Sequence, residues 1–266
     1  MSLERPVHDA VARLHRGAEA LWLRAHERWP QLRIEVLPET DSTNTQLMQR
    51  ARQGQHDTVV LTTAHQTAGR GRMGRRWEDR VGDTLMFSVG MALPHSQLSG
   101  LSLAVGVALA ESLGEPVRLK WPNDLWVARA SQWHKLGGIL TEVAHEQSRA
   151  YGVVGVGINL RTTPTPSDAS VPPIAWHDLG HEADSGDLFA RLADSVLSAM
   201  TQFFSGGFAP WVARFDALDA LRDQTLALSD GRQGQAQGVT PDGALVLDIG
   251  GQRCPIHSQE VSVRPC

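Results

Sequence analysis

Gly69-Arg70-Gly71-Arg72-Met73-Gly74-Arg75-Arg76-Trp77 places four arginines within seven residues and interleaves them with glycines. Glycine lets a backbone come close to an anion, and arginine brings a planar fork of donors that matches phosphate or carboxylate. The run contains G-x-G-x-x-G after a strand-like segment, but the dinucleotide fingerprint needs an apolar helix opening at its glycines and an acid about 20 residues on. Here the chain continues as polar loop, and positions 87 to 93 hold no acid. A Walker loop is excluded too, because no Gly-Lys-Ser/Thr closes the run. An RGG-like RNA patch and a plain solvated loop remain alternatives. The acidic net charge of −4 and the lack of flanking basic residues favour a loop that closes over a small anion.

Of 25 basic residues only Lys120 and Lys135 are lysine. A GC-rich genome explains the arginines; it does not explain two lysines fifteen residues apart. A compact ammonium differs from a planar guanidinium, so the pair flags sites where arginine does not serve. Lys120-Trp121-Pro122-Asn123-Asp124 reads as a Pro-forced turn projecting an ammonium, an amide and a carboxylate from nearly one point. Taken alone it is an ordinary turn; the lysine scarcity points to phosphates for Lys120 and Asn123 and a metal ion or partner for Asp124. Lys135-Leu136-Gly137-Gly138 sets a lysine at the head of a buried strand with bare backbone behind it, which suits either a pocket or a solvent lysine beside a bulge. Gly155 and Gly157, in Gly152 to Leu160, leave one strand face unobstructed for a ligand or for close helix packing.

The remaining elements must position these groups. The length of 266 residues fits one large domain with a small satellite, and 41% hydrophobic content with 20% charge fits a folded globular chain. Pro94 to Gln97 splits the uncharged stretch Thr84 to Ala110 below membrane-span length. Charges interrupt the N-terminus against a signal peptide. With Cys254 and Cys266 alone, a cytoplasmic setting is the default. Helices are expected at 7–29, from Asp41-Ser42-Thr43-Asn44 to 52, and at 97–113, 185–204 and 208–218. Strands are expected at 33–36, 57–63, 84–92, 117–120, 125–128, 136–143 and 151–160. The proline-rich stretch 162–175 reads as a long functional loop. Asp-Gly and Gly-Gly turns after Leu221 suggest a small β-barrel. The domains are thus 1–30 as a helical extension, 31–220 as the catalytic unit and 221–266 as the barrel.

In order, Asp41 to Asn44, Gln66 with Gly69 to Gly74, Lys120 to Asp124, Lys135 to Leu140, Gly155 to Asn159, Ala244 to Leu247 and Glu260 to Arg264 resemble the biotin protein ligases. The resemblance implies an α+β fold: a mixed sheet flanked by helices, like class II aminoacyl-tRNA synthetases and the lipoate ligases, with an SH3-like C-terminal barrel. It implies a cytoplasmic enzyme that joins biotin to ATP with Mg²⁺ and passes it to a lysine of the biotin carboxyl carrier domain of acetyl-CoA carboxylase. No nucleic acid or membrane partner is expected, and a homodimer is possible through sheet edges. By this resemblance Ser42, Thr43, Asn44, Gln66, Arg70, Gly71, Arg72, Lys135, Gly138 and Gly157 bind biotin. Arg75, Lys120, Trp121, Asn123, Asn159, Trp176 and Arg264 serve ATP. Lys135, Arg72 and Asp124 form the catalytic set, with the metal near Asp124. A lipoate- or octanoate-type ligase and a biotin sensor are the competing readings.

The sequence departs from the family pattern in the ten residues between Asp124 and Lys135, which imply a longer hairpin, and in lacking a glycine before Glu260. About 30 residues before the first catalytic strand are too few for a winged helix-turn-helix, so a monofunctional ligase is expected. If Lys135 must follow an oxygen from carboxylate to adenylate as a point charge, Lys135→Arg should lose at least about 100-fold in adenylate formation. Arg191→Lys should stay within about twofold; equal effects in a pyrophosphate-release assay would refute the reading.

Overall fold

Val59 to Thr63 is buried along its whole length, which fits an interior strand covered on both faces. In the computed structural model, which describes residues 4–93, 98–146, 149–161, 171–182, 184–257 and 263–265, this strand is second in a seven-stranded sheet. In chain order the elements are α1 (Glu4–Ala25), β1 (Arg33–Leu37), α2 (Thr43–Arg52), β2 (Val59–Thr63), β3 (Thr84–Leu93), α3 (Leu101–Leu113), β4 (Val117–Lys120), β5 (Asp124–Arg129), β6 (Gln132–Glu146), β7 (Arg149–Asn159), α4 (Ser185–Gly206) and α5 (Val212–Leu218). The sheet runs β1-β2-β3-β7-β6-β5-β4. Only β1 and β2 are parallel, joined through α2; every other neighbour is antiparallel.

Alternation along β7 divides the molecule into layers. Val154, Val156 and Ile158 enter the main core, which also holds buried residues of α1, α3 and α4. Val153 instead packs with Leu47, Met48 and Ala51 of α2. Helix α1 is integral to this packing: Leu14, Leu21 and Ala25 share the main core, and α1 meets α4 so closely that a Cβ on Gly17 would stand 2.3 Å from the Gly186 carbonyl oxygen.

The expected strands are present with shifted ends. The extra length between Asp124 and Lys135 is strand rather than loop: β5 reaches Arg129 and β6 begins at Gln132. Ala130 and Ser131, both at positive φ, make a two-residue turn. The helix expected from Gln97 starts at Leu101, behind Gly100 at φ 85°; Gln97 itself lies outside the described residues.

The C-terminal unit contains β8 (Thr225–Leu228), β9 (Gln233–Val239), β10 (Leu245–Ile249), β11 (Gln252–Ile256) and β12 (Val263–Pro265). They form an antiparallel sheet in the order β11-β10-β9-β8-β12. The segment after α5 and this unit together hold the strand that carries Lys120 and the residue after it. The Ala220 N–H donates to the Leu119 carbonyl at 2.8 Å, and Trp121, only 1% exposed, donates its indole N–H to the Gly243 carbonyl at 3.1 Å. Among the described residues no helix is long and apolar enough to cross a membrane.

Candidate active site

Cross-strand register builds the floor of a cavity of about 420 Å³, a size suited to a small organic ligand. Lys120 pairs with Asp124, Asp124 with Gly138, Gly138 with Gly157 and Gly157 with Met86, so one row crosses five strands on the α2 side. The next row is Leu140, Gly155 and Ser88. The two glycines of β7 leave room that other residues of this chain use. A Cβ on Gly155 would lie 2.2 Å from Asn44 Oδ1, and one on Gly157 would lie 2.6 Å from Trp77 Cζ2.

Strict alternation from Gly138 would put Leu136 in this cavity and Lys135 in the core. The register between β5 and β6 slips between Leu125 and Trp126, and such a bulge re-aims the side chains beyond it. Leu136 is therefore fully buried in the main core, while Lys135 Nζ sits 2.7 Å from Asp124 Oδ1. Asn159 holds this arrangement by donating Nδ2 to the carbonyls of Lys135 at 3.1 Å and Ile174 at 3.3 Å.

At the other end, Ser42 caps α2, and buried polar groups form a chain with a fixed direction. Asn44 Nδ2 donates to the Leu140 carbonyl at 3.2 Å and to Glu142 Oε2 at 3.0 Å. Its Oδ1 must then accept, and Ser88 Oγ donates to it at 2.6 Å. The single Ser88 proton being spent, the Thr43 hydroxyl is the donor in its contacts with Ser88 Oγ at 2.7 Å and Gln66 Oε1 at 3.2 Å, its one proton serving either acceptor. Gln66 Oε1 accepts the Thr43 backbone N–H at 2.8 Å, and Gln66 Nε2 lies against Met86 Sδ at 3.2 Å. The chain leaves a Thr43 lone pair and the Gln66 amide N–H that is not turned to Met86 for a ligand.

The arginine loop is a small hairpin over the opening. Trp77 N–H donates to Gly69 O at 3.0 Å and Gly71 N–H to Arg75 O at 2.8 Å, with Arg70 bridged to Arg76. Asp79, its side chain 2% exposed, anchors the base by accepting the Gln66 N–H at 3.2 Å and facing His65 Nδ1 at 3.0 Å. Arg72 reaches Asn123 Oδ1 at 3.5 Å.

Lys120, Lys135, Arg72 and Arg75 thus gather with Asp124 along the cavity wall. Burial pushes Lys120 down to about 8; Asp124 offsets part of this, and Lys135, Arg72 and Arg75 add to it. Burial also holds Arg72 below its ordinary value against the pull of Asp124, with Arg75 adding to the effect. A site in which cations depress one another is built to receive negative charge. Among the described residues no group of three or more His, Cys, Asp or Glu could hold a metal ion.

The structure brings Ser42, Thr43, Asn44, Gln66, Arg70, Gly71, Arg72, Arg75, Lys120, Asn123, Asp124, Lys135, Gly138, Gly157 and Asn159 to this one cavity. Trp121 and Trp176 are not among the residues that line it. Trp121 is the junction wedge described above, and Trp176 is 5% exposed in the core and stacked on His181 at 3.8 Å. The Arg264 backbone lies in β12 opposite Ala227; its side chain and Glu260 fall outside the described residues. Sequence reasoning gave no role to Ser88, Glu142, Asp79 or Trp77. Ser88 had a signal, a hydroxyl in the middle of the otherwise apolar run Leu85 to Leu93. Trp77 lies over Gly157 with Lys135 Nζ 5.9 Å from its ring centroid, and its indole N–H is buried without a hydrogen-bond partner among the described residues.

Comparison with known proteins gives concordant results. The model of the Biotin/lipoate A/B protein ligase family matches residues 36–159. The bifunctional ligase/repressor BirA of Escherichia coli is 33% identical over 244 residues, covering 87% of this chain and 74% of that protein. The biotin–acetyl-CoA-carboxylase ligase of Mycobacterium tuberculosis is 33% identical over 248 residues, covering 88% and 89%. The fold matches that of the Aquifex aeolicus biotin protein ligase solved with biotin and ATP, at TM-score 0.73 and 24% identity over 88% of this chain and 99% of that one.

The Gly155 clearance can be tested against another glycine of the site. Gly155→Ala should cost about 1–3 kcal/mol of stability because Asn44 and its hydrogen bonds must move. Gly71→Ala, whose Cβ would meet nothing closer than 3.5 Å, should change stability by less than about 0.5 kcal/mol. Urea midpoints at constant m-value check both.

Proposed function

The chain belongs to the biotin protein ligases, and from that premise we propose that it activates biotin with ATP and then transfers it to a carrier lysine. The activated form is biotinyl-5′-adenylate, with pyrophosphate released; the acceptor is the biotin carboxyl carrier domain of acetyl-CoA carboxylase, in the cytoplasm. The observation that carries the reading is the gathering of Lys120, Lys135, Arg72 and Arg75 with one carboxylate beside a directed polar chain. Attack of a carboxylate on a polyphosphate brings like charges together, and a preorganised cationic site removes that barrier without reorganising solvent.

The cyclic urea of biotin presents one carbonyl and two N–H groups. Ser42, the Thr43 lone pair and the Gln66 amide are suited to meet them. Asn44 acts through Ser88, since its amide is already engaged with protein partners. Met86 and Trp77 supply apolar wall for the thiophane ring and valeryl chain. Lys135 then faces the biotin carboxylate and the α-phosphate, while Lys120, Arg75, Asn123 and Asn159 serve the nucleotide; Arg264 is assigned to the nucleotide from the resemblance. Asp124 fits a Mg²⁺ that, as is usual for this ion, takes most of its ligands from phosphates and water. That ion would neutralise phosphate charge. Gly71 and the lid arginines Arg70 and Arg72 shield the mixed anhydride from water until the carrier lysine arrives.

Biotin-dependent exchange of labelled pyrophosphate into ATP tests the activity. Exchange with biotin and none with lipoate or octanoate is expected; preference for either of the latter would favour the lipoate-type alternative. The Lys120 charge adds a second test. A polyphosphate restores the ammonium toward its ordinary pKa, so ATP binding should take up protons at pH 8.5, and affinity should fall as pH rises from about 8 to about 10. Calorimetry in two buffers of different ionisation enthalpy should show this uptake in the wild type and not in Lys120→Met.

A further inference from the structure

Glu142 has no place in the charge logic above. A carboxylate beside a site for a carboxylate and a polyphosphate opposes ligand binding, and a half-buried one carries a desolvation cost that only good partners offset. The partners of Glu142 belong to two different parts of the site. From β6, where it stands opposite Val153, its Oε2 accepts the Asn44 amide N–H at 3.0 Å. Its Oε1 lies 3.1 Å from an Arg70 guanidinium nitrogen, and Oε2 lies 3.4 Å from the other. Asn44 is the first link of the polar chain that runs through Ser88 to Thr43 and Gln66. Arg70 is the first arginine of the lid hairpin.

The charge of Glu142 matters for the direction of that chain. The Leu140 carbonyl and a carboxylate are both pure acceptors, so together they force the Asn44 NH₂ toward themselves and its oxygen toward Ser88. Every later donor and acceptor, including the Thr43 lone pair offered to the ligand, follows from that choice. The same carboxylate holds Arg70 at the cavity edge by a charge-assisted contact.

We propose that Glu142 is a positioning residue that joins the urea-recognition chain to the lid, so that one carboxylate orients Asn44 and seats Arg70. It touches neither biotin nor ATP and acts through those two side chains. The proposal rests on the biotin-ligase reading, since it gives that reading's polar chain a ligand to recognise.

The test is a double-mutant cycle on the full chain with Glu142→Gln, Arg70→Gln and the double variant, reading biotin Kd by calorimetry and kcat and KM for biotin by pyrophosphate exchange. Gln keeps the length and shape of Glu while losing the charge and offering a competing donor to Asn44. Glu142→Gln should raise Kd and KM for biotin about tenfold with kcat changed less than about threefold. The double variant should be no worse than the weaker-binding single variant, because both singles break one linkage. Urea midpoints identify a variant that merely unfolds, and Glu142→Asp, which retains the charge but shortens the reach, gives a second folded probe expected to weaken biotin binding by a smaller factor. Biotin KM within twofold of wild type in Glu142→Gln, or independent multiplication of the two single effects, would overturn the proposal while leaving the ligase reading intact. A wild-type protein that binds no biotin would overturn both.

Discussion

The 2.7 Å ion pair between Lys135 and Asp124 ties together the strands on which the site is built. Asp124 opens β5 and faces Lys120 of β4; Lys135 lies beyond the bulge of β6 and is held through its backbone by Asn159 of β7. One carboxylate thus sits among four cations from three separate segments, Lys120 of β4, Lys135 of β6, and Arg72 and Arg75 of the arginine hairpin. The imbalance favours bound negative charge; burial lowers the Lys120 pKa to about 8, with Asp124 opposing the shift and Lys135, Arg72 and Arg75 adding to it. In free protein the pair keeps Lys135 oriented and partly neutralised. A bound anion would give Lys135 a second partner and would leave Asp124 open to a cation.

A second constraint is clearance. The α2 side of the sheet has glycine at 138, 155 and 157, and Asn44 and Trp77 stand in the space above 155 and 157. Both are wall-builders, one fixing hydrogen-bond direction and one supplying an aromatic surface. The site is therefore preorganised at its apolar, hydrogen-bonding end and electrostatically unsatisfied at its other end, which suits an uncharged ring system carrying a reactive anionic tail.

Much of this was legible in the chain. The apolar runs fixed the strand order in sequence, the caps at Asp41 to Asn44 placed α2, and the rarity of lysine pointed at two positions that meet at one cavity. Trp121 and Trp176, assigned to the nucleotide by resemblance, sit instead beside the cavity wall in this structure, one donating its indole N–H to Gly243 and the other stacked on His181. Asn44 was legible as a site residue; the direction its amide faces was not. Whether an amide faces ligand or protein depends on carbonyls 96 residues away, and nothing local in the sequence reports them.

The chemical inventory is local: which segments carry cations, where the backbone is bare, and which family pattern they spell in order can all be read along the chain. Facing and saturation are not local and arise on folding. Alternation alone assigns Lys135 to the core, and a bulge formed against β5 reverses that parity. Alternation cannot show that Glu142 meets both Asn44 and Arg70, since those contacts join residues 98 and 72 positions apart. Side-chain parity is a property of strand pairing and hydrogen-bond satisfaction is a property of neighbours in space, so both are settled only when the strands have met.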